Sequence, residues 1–214
     1  MFKMKNLILP MIFLIFMLTG CQSGNQNNQE QSKLIIADSL NDKQPIPPME
    51  LKTKTGKIIV INETHPDGLS ISKVQIVTRG FTENQPIDVG EIDPVNKVEF
   101  ADLDNDGFEE LYIFTQSAGS GSGGEFYAYA SDRDVKLIKI ESPVVMDKEY
   151  RVGGKFEGYM GHDRFFFDKG MLIREFPVYK ENDSNDNPTG GTKRIFYKLN
   201  QGKFEIVKDQ KQNH

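Results

Sequence analysis

Short apolar runs rich in β-branched and aromatic residues recur along this chain, each bounded by Gly, Pro, Asn or Asp. Residues 57–62 (KIIVIN) and 69–78 (LSISKVQIVT) flank the turn cluster His65-Pro66-Asp67-Gly68 and read as two strands. Residues 95–103 and 110–115 flank a run of aspartates, and within the second of these Leu111-Tyr112-Ile113-Phe114 is continuously apolar, as a buried strand is. Residues 125–130 and 135–140 are joined by Ser131-Asp132-Arg133-Asp134 as a hairpin. Residues 165–167 and 171–176 are joined by Asp168-Lys169-Gly170, and 193–199 and 203–207 by Asn200-Gln201-Gly202. No segment keeps a 3.6-residue apolar period, although 153–162 is ambiguous; 44–50 and 181–191 carry no clear signal. The pattern predicts one all-β domain, an antiparallel β-sandwich or meander, over residues 33–214.

The first 32 residues read differently. Lys3 and Lys5 precede a twelve-residue apolar run, 7–18, that ends in Leu18-Thr19-Gly20-Cys21. Twelve residues are too few for a bilayer span, which needs roughly 20. The layout is that of a secretory signal, residues 1–20, and the chain's single cysteine at the cleavage point resembles a bacterial lipoprotein signal. Cys21 would then carry the lipid and tether the domain to a membrane of the cell envelope, either the outer membrane facing the periplasm or the cell surface. Residues 21–32 are polar and read as a flexible spacer.

Charge and composition narrow the partner. With 26 basic and 31 acidic residues the chain carries −5, and loss of a signal holding two lysines makes that −7. Such a balance excludes a nucleic-acid footprint and suits a basic protein partner. The three histidines, His65, His162 and His214, follow no metal spacing, and His162-Asp163-Arg164 reads as a solvated turn. No nucleophile elbow or paired-histidine metal motif is present, so the expectation is a binding protein, not an enzyme.

Two loops stand out. In the first, Asp102, Asp104 and Asp106 alternate, Gly107 permits a sharp turn, and Glu110 follows. Hard oxygen donors at this spacing, with the Phe108 carbonyl as a fifth, suit Ca²⁺. The spacing is not that of an EF-hand, because loop position 12 is Ile113. It is closer to the D-x-D-x-D-G-x-x-[DE] loop of integrin-type β-propeller repeats, here present once. A metal-free turn, with the aspartates capping backbone N–H groups, reads equally from these residues. The second loop is Ser117-Ala118-Gly119-Ser120-Gly121-Ser122-Gly123-Gly124. No lysine and no helix follow it, which argues against a phosphate cradle. Small residues with hydroxyls suit entry into a narrow cleft without bringing charge.

The stretches DLDNDGFEELYIFTQSAGSGSGGEFYAY (102–129) and REFPVYKENDSNDNPTGGTKRIFYKL (174–199) together resemble the bacterial inhibitors of invertebrate-type (I-type) lysozyme. The resemblance spans residues 95–207. It implies a β-sandwich-like inhibitor of the cell envelope with a basic lysozyme as partner. It also implies that a Ser-Gly loop and a nearby tyrosine enter the catalytic cleft, which assigns Ser117, Gly119, Ser120, Gly121, Ser122, Gly123 and Tyr127 to the lysozyme-binding loop. In the family pattern S-G-x-x-Y the tyrosine falls at Phe126 of this chain, so Tyr127 stands one place late. A lysozyme holds an acid and a carboxylate across the scissile bond, and hydroxyls of Ser120 or Ser122 and of Tyr127 are donors suited to them. The alternative from the residues alone is a Ca²⁺-dependent binding or adhesion lipoprotein of the cell surface.

Overall fold

Strand β6 (Glu110–Gln116) explains the architecture, because it is buried along almost its whole length. A strand covered on both faces has no polar side to show and reads as an unbroken apolar run. In the computed structural model, which describes residues 46–207, β6 lies inside the middle one of three sheets. Leu111 and Ile113 point to one neighbouring sheet, and Tyr112 and Phe114 to the other.

Each sheet is a four-stranded antiparallel meander of consecutive strands. The first holds β1 (Met49–Lys52), β2 (Ile58–Thr64), β3 (Ser72–Arg79) and β4 (Pro86–Ile92). The middle sheet holds β5 (Val95–Ala101), β6, β7 (Gly124–Ser131) and β8 (Leu137–Ile140). The last holds β9 (Arg164–Asp168), β10 (Met171–Pro177), β11 (Thr192–Asn200) and β12 (Lys203–Val207). The all-β antiparallel reading therefore holds, as a three-layered stack. Two aliphatic and aromatic cores separate the layers. Ile59, Ile61, Val74 and Ile76 meet Leu111, Ile113 and Tyr129 on one side. Tyr112, Phe114 and Phe126 meet Phe165, Leu172, Tyr197 and Phe204 on the other. The second core is an aromatic lattice, with Phe126 edge-on to Phe165, Tyr197 and Phe204 at 5.2–5.8 Å between ring centroids.

Turn chemistry sets the last sheet's register. Lys169 and Gly170, and likewise Gln201 and Gly202, both have positive φ. These are the two-residue primed turns whose twist matches that of the flanking strands. They pair Asp168 with Met171 and Asn200 with Lys203. Two strands escaped the sequence pattern: β1, which is mostly exposed, and β4, which begins at Pro86 and carries a bulge where Val89 has no partner opposite the Val74/Gln75 step. Both are edge strands, where Pro and bulges are tolerated and block further pairing. The ambiguous stretch 153–162 forms no α-helix. It belongs to a long connection between β8 and β9 that holds one 3₁₀ turn, Asp147–Tyr150. The signal at 1–20, Cys21 and the spacer lie outside the described residues. No helix among the described residues is long and apolar enough to cross a membrane.

Candidate functional site

The Ser-Gly loop grows out of the best-buried hairpin in the molecule. Gln116 of β6 pairs with Gly124 of β7, and the Ser117 N–H donates to the Gly123 carbonyl at 2.8 Å, closing the loop's neck. At the tip, the Ser122 N–H and Oγ both donate to the Gly119 carbonyl, at 3.0 and 3.1 Å. Ser122 holds φ 40°, so its hydroxyl is spent on shaping the turn. Ser120 is exposed, and among the described residues its hydroxyl makes no hydrogen bond. Ala118 and Gly119 are exposed beside it, while Ser117, Gly121 and Gly123 are half-buried.

A buried polar hub holds this loop. Arg174 lies on the inward side of β10 between Leu172 and Phe176, with its side chain 4% exposed. Its Nε donates to Asp163 Oδ1 at 2.5 Å, and its Nη2 donates to the Gly124 carbonyl at 2.9 Å and to the Tyr159 hydroxyl at 2.7 Å. The Asp163 carboxylate, fully buried, also accepts the Gly124 N–H and the Tyr159 hydroxyl, both at 2.6 Å. Both polar backbone atoms of Gly124, the first residue of β7, are thus fixed by charged partners. Phe156, Tyr159 and Phe165 cage the guanidinium at 4.9–5.5 Å from their ring centroids. Burial works against the charge of Arg174, but the Asp163 hydrogen bond and charge more than offset it and hold the guanidinium firmly protonated. Burial likewise pushes the Tyr159 hydroxyl up, so it stays a neutral donor to Asp163.

Two further contacts fix the tip. The His162 N–H is shared between the Gly121 and Ser122 carbonyls, at 2.8 and 3.1 Å. Gly161, at φ +97°, sits so close that a Cβ there would overlap the Gly121 carbonyl oxygen, so only glycine fits. On the other flank Asn185 Nδ2 donates to the Ser120 carbonyl at 2.5 Å. Asn185 belongs to the 181–191 loop, which is built on Asp183: its carboxylate accepts the Lys180 and Thr189 N–H groups and the Thr189 hydroxyl. The Tyr179 hydroxyl donates to the Asn185 carbonyl at 2.8 Å.

Of the residues singled out in sequence, the structure brings Ser117, Gly119, Ser120, Gly121, Ser122 and Gly123 together in one loop. Tyr127 stands apart from them. It lies within β7 opposite Ile113 and packs, half-buried, against the core between the first and middle sheets. Phe126, its neighbour on the opposite face, enters the other core, so both faces of the middle sheet are covered. The tyrosine beside the loop is Tyr159, whose hydroxyl lies 3.5 Å from where a Gly123 Cβ would be. Asp163 corrects the reading of His162-Asp163-Arg164 as a solvated turn, since its carboxylate is fully buried. One sequence signal marks the hub: MLIREFP places an arginine at an inward position of an alternating strand, which demands a buried partner.

The acidic loop lies at the other end of β6. Oxygens of Asp102, Asp104, Asp106 and Glu110 come within 4.8 Å of one another. Each aspartate gives one oxygen to the loop backbone: Asp102 Oδ2 to the Gly107 N–H, Asp104 Oδ1 to Asp106, and Asp106 Oδ1 to Phe108. Asp102 Oδ1 is buried without a partner among the described residues. Glu110 is buried, and its Oε2 accepts the Leu103 N–H and the Tyr112 hydroxyl. Burial above all raises its carboxyl from 4.5 to about 7, with the Asp104 charge adding and the Leu103 N–H opposing. Burial and the charges of Asp106 and Asp102 also raise Asp104, against hydrogen bonds from the loop backbone. These donors fit a hard divalent cation: the aspartates brace the turn with one oxygen and keep the other, and a cation would relieve their mutual repulsion.

Compared with known proteins, the chain matches no family model, no curated protein and no solved structure.

Proposed function

We propose that this protein inhibits lysozyme, I-type in particular, by seating the 117–123 loop in the enzyme's sugar cleft. One observation carries the reading. The uncharged tip presents Ser120 to solvent, and the buried Arg174–Asp163–Tyr159 hub fixes its base. A loop ordered before binding loses little conformational freedom on docking, and that saving appears as affinity. The Ser120 hydroxyl donates to a catalytic carboxylate, a charge-assisted bond worth roughly 1.5–3 kcal/mol. Tyr127 and Ser122 act through the fold, the first in a core and the second in the turn. The resemblance of 102–129 and 174–199 to the I-type inhibitors supports the choice of target, as does the acidic charge of −5 against a basic enzyme. In this reading the protein is a binder without catalytic activity of its own. Lipid on Cys21 would hold it at the envelope, where lysozyme arrives. Turbidity loss of cell-wall suspensions under I-type, chicken-type and goose-type lysozymes, with and without the purified protein, tests the reading. Protection from the I-type enzyme is expected, and unimpeded lysis by all three would refute it.

A second reading has its own observation, the orphaned Asp102 Oδ1 within the acidic cluster. Asp102, Asp104, Asp106 and Glu110 hold one Ca²⁺, with the Phe108 carbonyl. As a stabilising ion it is compatible with inhibition, and as a bridge to a glycan or protein it would make the chain a Ca²⁺-dependent adhesin. Calorimetric titration with Ca²⁺ decides whether the ion binds. Adhesion further requires that EDTA abolish attachment to a glycan surface.

A further inference from the structure

The β8–β9 connection, residues 141–163, is oddly apolar for a surface segment. Val144, Met146, Tyr150, Val152 and Met160 are all exposed, Val144 and Val152 at 89% and 93%. The segment is tied down rather than loose. Phe156 is fully buried and stacks on Phe176 at 5.7 Å, and the Phe156 N–H donates to the Glu149 carbonyl at 2.7 Å. Its far end is the stretch that grips the Ser-Gly loop. The Met160 carbonyl lies 3.1 Å from where a Gly121 Cβ would be, and Tyr150 lies 6.0 Å from Tyr159 of the hub. Met160 and Tyr150 therefore stand beside the loop and its hub, and Val144, Met146 and Val152 are exposed on the same connection. Single exposed apolar residues need no explanation, but a run of them beside a built loop marks an interaction surface.

Charge selects the occupant. Apart from the buried Asp163, residues 116–125, 141–163 and 179–191 carry eight acidic and four basic residues. An apolar strip with an acidic surround repels an anionic bilayer surface and suits a basic protein.

Resting on the lysozyme reading, we infer that the 144–160 connection is a second contact segment for the same enzyme. It packs on the wall of the cleft that the Ser-Gly loop enters. The loop occludes the cleft, and the apolar strip lengthens residence. Anchors of this kind act mainly on dissociation, whereas the acidic surround acts on association and its salt dependence.

The test is a triple variant, Val144→Ser with Val152→Ser and Met160→Ser, set beside Ser120→Ala and the parent. Binding to immobilised I-type lysozyme is followed by kinetics, and melting temperature is recorded for each. These exposed side chains contribute little to folding, so melting should match the parent. The triple variant should dissociate at least tenfold faster, with association within about threefold. A triple variant that binds as the parent does, while the parent inhibits, overturns the second contact and leaves the inhibitor reading standing. A parent that binds no lysozyme overturns both. Sedimentation of the parent, but not the triple variant, with phosphatidylglycerol vesicles would assign the strip to membrane instead and overturn the inference.

Discussion

Removal of the Asp163 carboxylate is the most exacting perturbation of the hub. Asp163→Ala deletes the acceptor of three hydrogen bonds, from Gly124, Tyr159 and Arg174. Arg174 would stay caged by Phe156, Tyr159 and Phe165, with Glu125 at 3.8 Å as its remaining carboxylate partner. Breaking a buried pair on one side strands a charge in a dry site, which costs about 3–5 kcal/mol. Arg174→Met alone should cost a similar amount, because it strands Asp163. The double variant removes both charges and keeps an apolar side chain among the aromatics. It should cost clearly less than the sum, with a coupling of about 2 kcal/mol or more. Urea unfolding of the parent, the two single variants and the double closes the cycle. The loop adds a local readout: amide exchange at 117–124 should speed up in both single variants, since Gly124 loses a charged partner in each. Single variants that each cost under about 1 kcal/mol, or costs that simply add, would refute the hub as the loop's support.

Three other outcomes follow from the same geometry. Ser120→Ala should weaken inhibition by about tenfold or more at unchanged melting temperature, the loss of one charge-assisted bond, whereas Ser122→Ala should lower melting temperature as well; equal inhibition by parent and Ser120→Ala contradicts the assignment. Gly161→Ala should destabilise by more than about 1 kcal/mol, through its positive φ and the overlap with Gly121, and should abolish inhibition; parent-like unfolding and inhibition would contradict it. In EDTA, Glu110 binds its proton more tightly folded than unfolded, so its stabilising contribution is complete below about 4.5 and is lost as pH rises through about 7. That gap corresponds to about 3 kcal/mol. Melting temperature should therefore fall between pH 5 and 8, stay flatter in Glu110→Gln, and recover at pH 8 with Ca²⁺ in the parent alone; a parent profile as flat as the variant's contradicts it.

Ten of the twelve strands were legible because their apolar runs end in turns whose chemistry is local, such as Lys169-Gly170 and Gln201-Gly202. β1 and β4 were not, since edge strands bury little and β4 is interrupted by Pro86 and a bulge. β6 announced a strand covered on both faces, but nothing local says which sheets cover it. The Ser-Gly and aspartate loops were visible as composition. Their support was not, because Gly124, Tyr159, Asp163 and Arg174 meet only when the middle and last sheets stack. The resemblance that assigned Tyr127 to the loop read a position by spacing alone, yet along β7 that side chain packs on the core between the first and middle sheets.

The central claim is that the 117–123 tip occupies the sugar cleft. Competition measures this directly: the protein is titrated into I-type lysozyme with and without a soluble oligosaccharide of the enzyme's own cell-wall substrate. If the tip fills the cleft, the apparent Kd rises linearly with the free oligosaccharide concentration, and saturating protein displaces the sugar completely. An apparent Kd indifferent to the oligosaccharide would contradict the account.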